Sequence, residues 1–294
     1  MIDFRAIRSW LFVPGDSERK LAKCLSCSAD AIIIDLEDSV TAENKLNARA
    51  TAASAIRRAR ESGVSSAIVI RTNALQTGLI EDDIAGTIKA APDGYVVPKI
   101  TAASDLQKVA SMLSGVESGA RTTSLIPIAT EMPEAVFRLP EIAGAHERVR
   151  GIFWGMEDLG TELGSRRTRR PDGEILEVFK TVRSLALFAA ASAGIACVDT
   201  PFVDISNSEG LIKEAIEASW MGFSGKLAIH PSQVDEINSA FSPTIEEIEE
   251  ARCILQMSQD GGGAAFRYNG RMIDTPHLAA AKRLLARASH RGSA

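Results

Sequence analysis

Short runs of β-branched and other apolar residues alternate along the chain with longer stretches in which apolar positions recur at helical spacing. The short runs fall at Ser9–Pro14, Ala31–Glu37, Ala67–Thr72, Tyr95–Lys99, Ser124–Thr130, Val149–Trp154, Ala196–Thr200 and Lys226–His230. Most are continuously apolar, the pattern of strands covered on both faces. Between them, Ser17–Ser26, Ala42–Glu61, Ser104–Glu117, Glu174–Ala193 and Glu209–Ser219 read as helices, the second stopping just ahead of Gly63. Eight strand–helix units in 294 residues predict one (β/α)8 barrel, a TIM barrel. A doubly wound open sheet is the runner-up, but it usually carries a Gly-rich phosphate turn after its first strand. Here that turn is Pro14-Gly15-Asp16-Ser17, with no GxGxxG. Beyond the eighth run the pattern changes: Thr244–Met257 reads as a helix, Gly261-Gly262-Gly263 as a flexible link, and Phe266–Ala288 as a short extension ending in a helix. The expected division is a barrel over residues 1–242 and a C-terminal helical extension over 243–294.

In such a barrel, functional groups sit where strands end at the C-terminal mouth. The second run ends in Asp35, Glu37 and Asp38, the third in Arg71, Thr72 and Asn73, and the fourth in Lys99. The fifth leads to Glu131, the sixth to Glu157 and Asp158, the seventh ends in Asp199 and the eighth in His230. Carboxylates converging from several strands repel one another unless positive charge lies between them. A hard divalent cation is the economical solution, since Mg2+ takes one or two carboxylates plus waters and substrate oxygens. Arg71 adds a planar fork suited to a substrate carboxylate.

Composition narrows the field. A net charge of −5 argues against a dedicated nucleic-acid binder, and no apolar run approaches the length of a membrane span. Met1–Trp10 has no signal-peptide pattern, so the cytoplasm is the expected location. Cys24 and Cys27 form a CxxC without a second pair or a nearby histidine cluster, and read as free thiols. Arg166–Arg170 reads as a solvated basic loop, His230 as a structural or peripheral group, and His277 as a group that bonds within the C-terminal helix.

Several segments together resemble the CitE-like (HpcH/HpaI aldolase) superfamily. They are Leu11-Phe12-Val13-Pro14-Gly15, Asp35-Leu36-Glu37-Asp38-Ser39-Val40, Arg71-Thr72-Asn73, Val97-Pro98-Lys99, Glu157-Asp158-Leu159-Gly160, Ile229-His230-Pro231-Ser232-Gln233 and Gly270-Arg271-Met272-Ile273-Asp274-Thr275-Pro276-His277. The ordered set runs from about Ser9 to Ala288. The resemblance implies Mg2+ held by Glu131 and Asp158, a keto-acid fragment bound by Arg71, and a pocket lined by Phe12. It places Glu37 and Asp38 against water on the metal, and Arg19 and Lys23 against the phosphates of coenzyme A. It makes Asp274 the proton-transfer group, often delivered across a subunit boundary, and implies a homo-oligomer, a trimer or hexamer. A helix cap ahead of Pro276 is the plainer role for Asp274. Met132 stands where relatives often carry a small polar residue, which leaves the size of the substrate open.

The activity so implied is retro-Claisen cleavage of malyl-, citramalyl- or citryl-CoA to acetyl-CoA and a 2-oxo acid. A malyl-CoA thioesterase or malate synthase-like activity, a citrate lyase β subunit working on an acyl-carrier protein, and an aldolase on free pyruvate are the alternatives. A scaffold with a decayed site is the non-enzymatic one, against which the intact set Arg71, Glu131, Asp158 and Asp274 speaks.

Overall fold

The computed structural model describes residues 2–117, 122–260 and 265–289. The expected triple-glycine link at 261–263 lies outside them. The chain divides into two compact units, Met1–Ala240 and Phe241–Ala294.

The first unit contains β1 (Ser9–Pro14), β2 (Ala31–Asp35), β3 (Ala67–Arg71), β4 (Gly94–Val97), β5 (Ser124–Pro127), β6 (Gly151–Phe153), β7 (Ala196–Asp199) and β8 (Gly225–Ala228). All pair in parallel in the order β5-β4-β3-β2-β1-β8-β7-β6. Two parallel bridges, Leu125 with Val149 and Ile128 with Phe153, close the ring between β5 and β6. The result is the expected (β/α)8 barrel. The connections carry α1 (Glu18–Leu25), α2 (Lys45–Glu61), α3 (Ile80–Thr87), α4 (Ala103–Val116), α5 (Pro133–Val136), α6 (Leu139–Ala143), α7 (Glu157–Glu162), α8 (Glu177–Ala193) and α9 (Ser208–Met221). After β8 comes α10 (Val234–Ala240).

Trp10, Ala31, Ile33, Ala67, Val69, Val96, Ile126, Phe153, Ala196, Val198 and Leu227 fill the interior, with Phe4 and Ile7 packed against them ahead of β1. Trp10 meets Phe4 and Phe153 edge-on, with ring centroids 5.4 and 5.1 Å apart. The outward residues of each strand are equally buried, because the helices cover them; β2 is buried at all its positions. This is why the runs are continuous rather than alternating. Two long helices stop at a left-handed glycine: α8 at Gly194, φ +68°, and α9 at Gly222, φ +106°, whose N–H reaches back to Ala218 and Ser219.

The strands are shorter than their apolar runs at the C-terminal ends. β2 stops at Asp35 rather than Glu37, β4 at Val97 rather than Lys99, and β5 at Pro127 rather than Thr130. The trailing residues leave the ladder to form the mouth of the barrel. Periodicity also passed over α3, α7, α10 and the short helices α5 and α6.

In the second unit, α11 (Ile245–Asp260) and α12 (Thr275–Ser289) flank a hairpin of β9 (Phe266–Tyr268) and β10 (Arg271–Ile273). The hairpin was not foreseen, although Asn269-Gly270 is a strong turn signal. Both residues are left-handed, φ +46° and +78°, as a two-residue type I′ connection requires. Ala251, Ile254, Ile273 and Ala281 form this unit's own core.

Candidate active site

Side chains alternate along a strand, so residues two beyond the interior set also point inward. On β2 the row Ala31, Ile33 continues to Asp35; on β3 the row Ala67, Val69 continues to Arg71. Asp35 and Arg71 are register partners. Their side chains form a bidentate pair, with Nε and Nη2 of Arg71 each 2.7 Å from a carboxylate oxygen of Asp35. The same carboxylate accepts the amides of Glu37 at 2.9 Å and Ser39 at 3.1 Å, which folds the acidic turn after β2 over the barrel. Nη1 of Arg71 lies 3.0 Å from Glu37 and 3.5 Å from Asp38, and its guanidinium carbon stands 5.0 Å from the Phe12 ring centroid. Burial works against the charge on Arg71. The hydrogen bonds to Asp35 and the charges of Asp35, Glu37 and Asp38 outweigh it and hold the guanidinium ionised.

Glu131 follows β5 and is 2% exposed. Its Oε2 accepts the backbone N–H of Lys99 at 2.6 Å, and among the described residues it makes no ion pair. Burial pushes its carboxyl up to about 8, and the charges of Glu37 and Asp158 add to the rise. The chain approaches it closely through Gly155, where a Cβ would lie 3.1 Å from Cγ of Glu131. The Gly155 amide is fixed in turn by Oγ1 of Thr130 at 2.8 Å. Three residues on, at the start of α7, Asp158 is half-buried, and among the described residues its nearest opposite charge is the Lys99 ammonium 3.9 Å away. Glu131, Asp158, Arg71, Asp35, Asp38 and Phe12 all line one cavity of about 460 Å³ at the mouth. Thr200 and Pro201 form another part of its wall.

A buried carboxylate with no counter-ion and a second, reachable carboxylate in the same cavity make a donor set for a hard dication. Among the described residues no group of three or more His, Cys, Asp or Glu is placed to hold a metal. The pair fits Mg2+, which keeps most of its waters, better than an ion needing a full protein cage.

The structure therefore gathers Phe12, Glu37, Asp38, Arg71, Glu131 and Asp158 at one mouth. Arg19 and Lys23 are exposed on α1, one turn apart. Asp274 lies in the second unit, just ahead of α12, and its carboxylate is 2.6 Å from Nδ1 of His277. Met132 precedes α5 and does not line the cavity. Asp35 and Lys99 were visible only as strand-end charges with no role attached; their partners reveal what they do.

Other strand-end groups turn away from the mouth. Asn73 is tied to Asp83 through its amide and side chain, at 2.7 and 2.8 Å. His230 is exposed and bonds Ser232. Asp199 is an outward residue of β7, next to inward Val198, and is fully buried under the helices. It accepts from Trp154 Nε1 at 2.8 Å, Arg183 at 3.0 and 3.2 Å, and Lys226 at 2.7 Å. Lys226, also fully buried, spends its remaining donors on the Thr200 carbonyl at 2.7 Å and Glu214 at 2.8 Å. Within the basic loop, Arg169 is not merely solvated: it pairs with Glu214 and lies over the Phe202 ring. All four cysteines are free thiols, Cys24 and Cys27 as expected. No helix of the described residues is long and apolar enough to cross a membrane.

Residues 8–231 match the HpcH/HpaI aldolase/citrate lyase family. The chain is 32% identical to the citrate lyase subunit beta of Leuconostoc mesenteroides subsp. cremoris, over 97% of this chain and 95% of that protein. It is 34% identical to a (3S)-malyl-CoA thioesterase of Cereibacter sphaeroides, over 96% of this chain and 94% of that one. Among solved structures it resembles CitE from Mycobacterium tuberculosis in complex with magnesium, acetoacetate and coenzyme A. The TM-score is 0.78 and the identity 33%, covering 97% of this chain and all of that one.

Proposed function

Because the chain belongs to the HpcH/HpaI aldolase/citrate lyase family, we propose that it is a Mg2+-dependent carbon–carbon lyase acting on a coenzyme A thioester. Its substrate in this reading is malyl-, citramalyl- or citryl-CoA, and its products are acetyl-CoA and a 2-oxo acid. The observation that carries the reading is Glu131: a buried carboxylate without an ion pair among the described residues, in one cavity with Asp158 and a preset arginine. The magnesium and coenzyme A of the M. tuberculosis CitE complex support it.

Glu131 and Asp158 would hold Mg2+, which supplies Lewis-acid polarisation of the substrate's hydroxyl or keto oxygen. Arg71, fixed by Asp35, presents its remaining N–H groups to the carboxylate beside that oxygen, and Phe12 offers an apolar wall. Glu37 and Asp38 would bond water near the cation, and Arg19 and Lys23 would meet the phosphates of coenzyme A. In cleavage the hydroxyl passes its proton to water in the cavity, and its O–H electron pair forms the carbonyl of the 2-oxo acid. The electron pair of the broken C–C bond passes to the thioester enolate. Asp274, delivered across a subunit boundary in this reading, would give its carboxyl proton to the enolate carbon and be reprotonated by solvent; in the condensing direction its carboxylate would remove that proton. A cytoplasmic setting suits the four free thiols.

The test is incubation of the purified protein and Mg2+ with each of the three thioesters, following the 2-oxo acid, acetyl-CoA and free coenzyme A. Equal release of a 2-oxo acid and acetyl-CoA, abolished by chelator, is the expected result. Asp274→Asn should lower cleavage on the order of 10²- to 10⁴-fold while Mg2+ still binds. Release of free coenzyme A instead would favour hydrolysis, the second reading that the (3S)-malyl-CoA thioesterase relative supports. No turnover of any thioester by a protein that binds Mg2+ would favour a carrier-protein substrate or free pyruvate.

Assembly as a homo-oligomer, a trimer or hexamer, belongs to the same proposal. Its support in this chain is exposed apolar surface on the barrel unit: Val178, Leu185 and Phe188 on α8, with Phe188 68% exposed, and Phe137 at 89%. Light scattering should give a multiple of the monomer mass, and Phe188→Glu should shift it toward the monomer.

A further inference from the structure

Lys99 stands at the end of β4 with φ +51°, in the left-handed region that a side-chain-bearing residue enters at a cost of about 1–3 kcal/mol. Its amide donates to Glu131, whose Oε2 accepts at 2.6 Å. That bond fixes the orientation of the Glu131 carboxylate and leaves Oε1 open to a cation. The side chain runs the other way across the mouth. Its ammonium donates to Glu37 Oε1 at 2.7 Å and Asp38 Oδ1 at 3.3 Å, and stops 3.9 Å short of Asp158. Burial disfavours its charge, but the hydrogen bond and charge of Glu37, with Asp38 and Asp158 behind it, keep it firmly protonated. One residue thus orients the first carboxylate through its backbone and restrains two others through its side chain.

The restraint matters because the mouth holds more carboxylates than a magnesium site can use. Mg2+ demands a small octahedral shell and keeps several waters, so one or two carboxylates suffice. Ca2+ takes six to eight oxygens in flexible geometry and gains from each added carboxylate. Asp38 is exposed and lines the cavity; besides Lys99 it meets Arg71 Nη1 at 3.5 Å, a longer contact that holds it less tightly than Arg71 holds Glu37 at 3.0 Å. We propose that Lys99 is a specificity-determining positioning residue: by tying up Glu37 and Asp38 it caps the number of carboxylates that reach the cation at Glu131 and Asp158, and so selects Mg2+ over Ca2+. The inference rests on the metal reading of Glu131 and Asp158 given above.

The test is calorimetric titration of Mg2+ and of Ca2+ into the full-length protein and its variants, with thermal melts of each. Loss of one positive charge tightens every dication, so the readout is the ratio of the two dissociation constants, which cancels that general effect. Lys99→Gly keeps the amide and accommodates the left-handed backbone without strain, and Lys99→Met keeps the side-chain bulk. Both are expected to shift the ratio toward Ca2+ by about tenfold or more, the usual scale for groups that steer metal ligands. Lys99→Arg, which retains a cation, should restore most of the preference for Mg2+. An unchanged ratio in both Gly and Met variants, whatever their melting temperatures, overturns the inference and leaves the metal reading standing. Asp158→Asn separates the two: if it binds Mg2+ as well as the parent protein, the metal is not at this site and both readings fall.

Discussion

Glu131→Gln is expected to lower thioester cleavage on the order of 10³-fold or more and at the same time to raise the melting temperature of the metal-free protein. The two effects have one origin. Glu131 makes no ion pair among the described residues, and burial with the charges of Glu37 and Asp158 opposes its ionisation more than the Lys99 amide and the Arg71 charge favour it. Glutamine has nearly the same shape, can still accept the Lys99 amide, and carries no charge to bury. It also cannot supply the anionic ligand on which the polarisation of the substrate oxygen depends, a contribution of several kcal/mol to the barrier. A stability gain paired with a functional loss is the signature of a residue kept for chemistry.

The pH dependence follows. With a folded-state value near 8, well above that of the unfolded chain, Glu131 holds a proton in the native protein that the unfolded chain has lost. Its contribution therefore favours folding at low pH and is lost as pH rises toward 8 in the absence of metal. Glu131→Gln should flatten that slope in melts recorded between pH 5 and about 8 with a chelator present. A melting temperature that drops on substitution, with no change in slope, would contradict this account of the site.

Lys226→Met should be the most destabilising of the substitutions considered, by about 3–5 kcal/mol, or roughly 6–20 °C in melting temperature. Lys226 is fully buried and bonded to Asp199, Glu214 and the Thr200 carbonyl. Removing its charge leaves a buried carboxylate with Arg183 and the Trp154 indole as its remaining donors. Adding Asp199→Asn to Lys226→Met should recover part of the loss, because a neutral amide no longer needs the cation. Burial opposes the Asp199 charge, but Lys226 and Arg183 prevail and hold its carboxyl below the usual range. The stability it contributes is present above the unfolded carboxylate value and is lost only as pH falls through the lower native one. Acid titration followed by circular dichroism should show the double variant losing less stability between pH 5 and pH 2 than the parent protein. Equal acid sensitivity would mean that the network contributes little.

The barrel was legible along the chain because its signal is local. Runs of a few β-branched residues, alternating with amphipathic helices, leave few ways to bury every strand on both faces, and a closed parallel ring is one of them. The mouth was legible as well, since chemistry in such a barrel gathers where strands end; Arg71, Glu131 and Asp158 all stand there. What the sequence could not supply was the direction in which each strand-end charge points. Asp35 and Asp199 both close a buried strand, yet Asp35 faces the cavity and clamps Arg71 while Asp199 faces the helices and binds Lys226. Direction depends on the parity of each position relative to the interior row. That parity is written in the alternation of polar and apolar residues, and strands covered on both faces have none to show. For the same reason only the tertiary structure could make Lys99 the neighbour of Glu131: the contact joins the ends of two strands through a backbone turned left-handed at one residue.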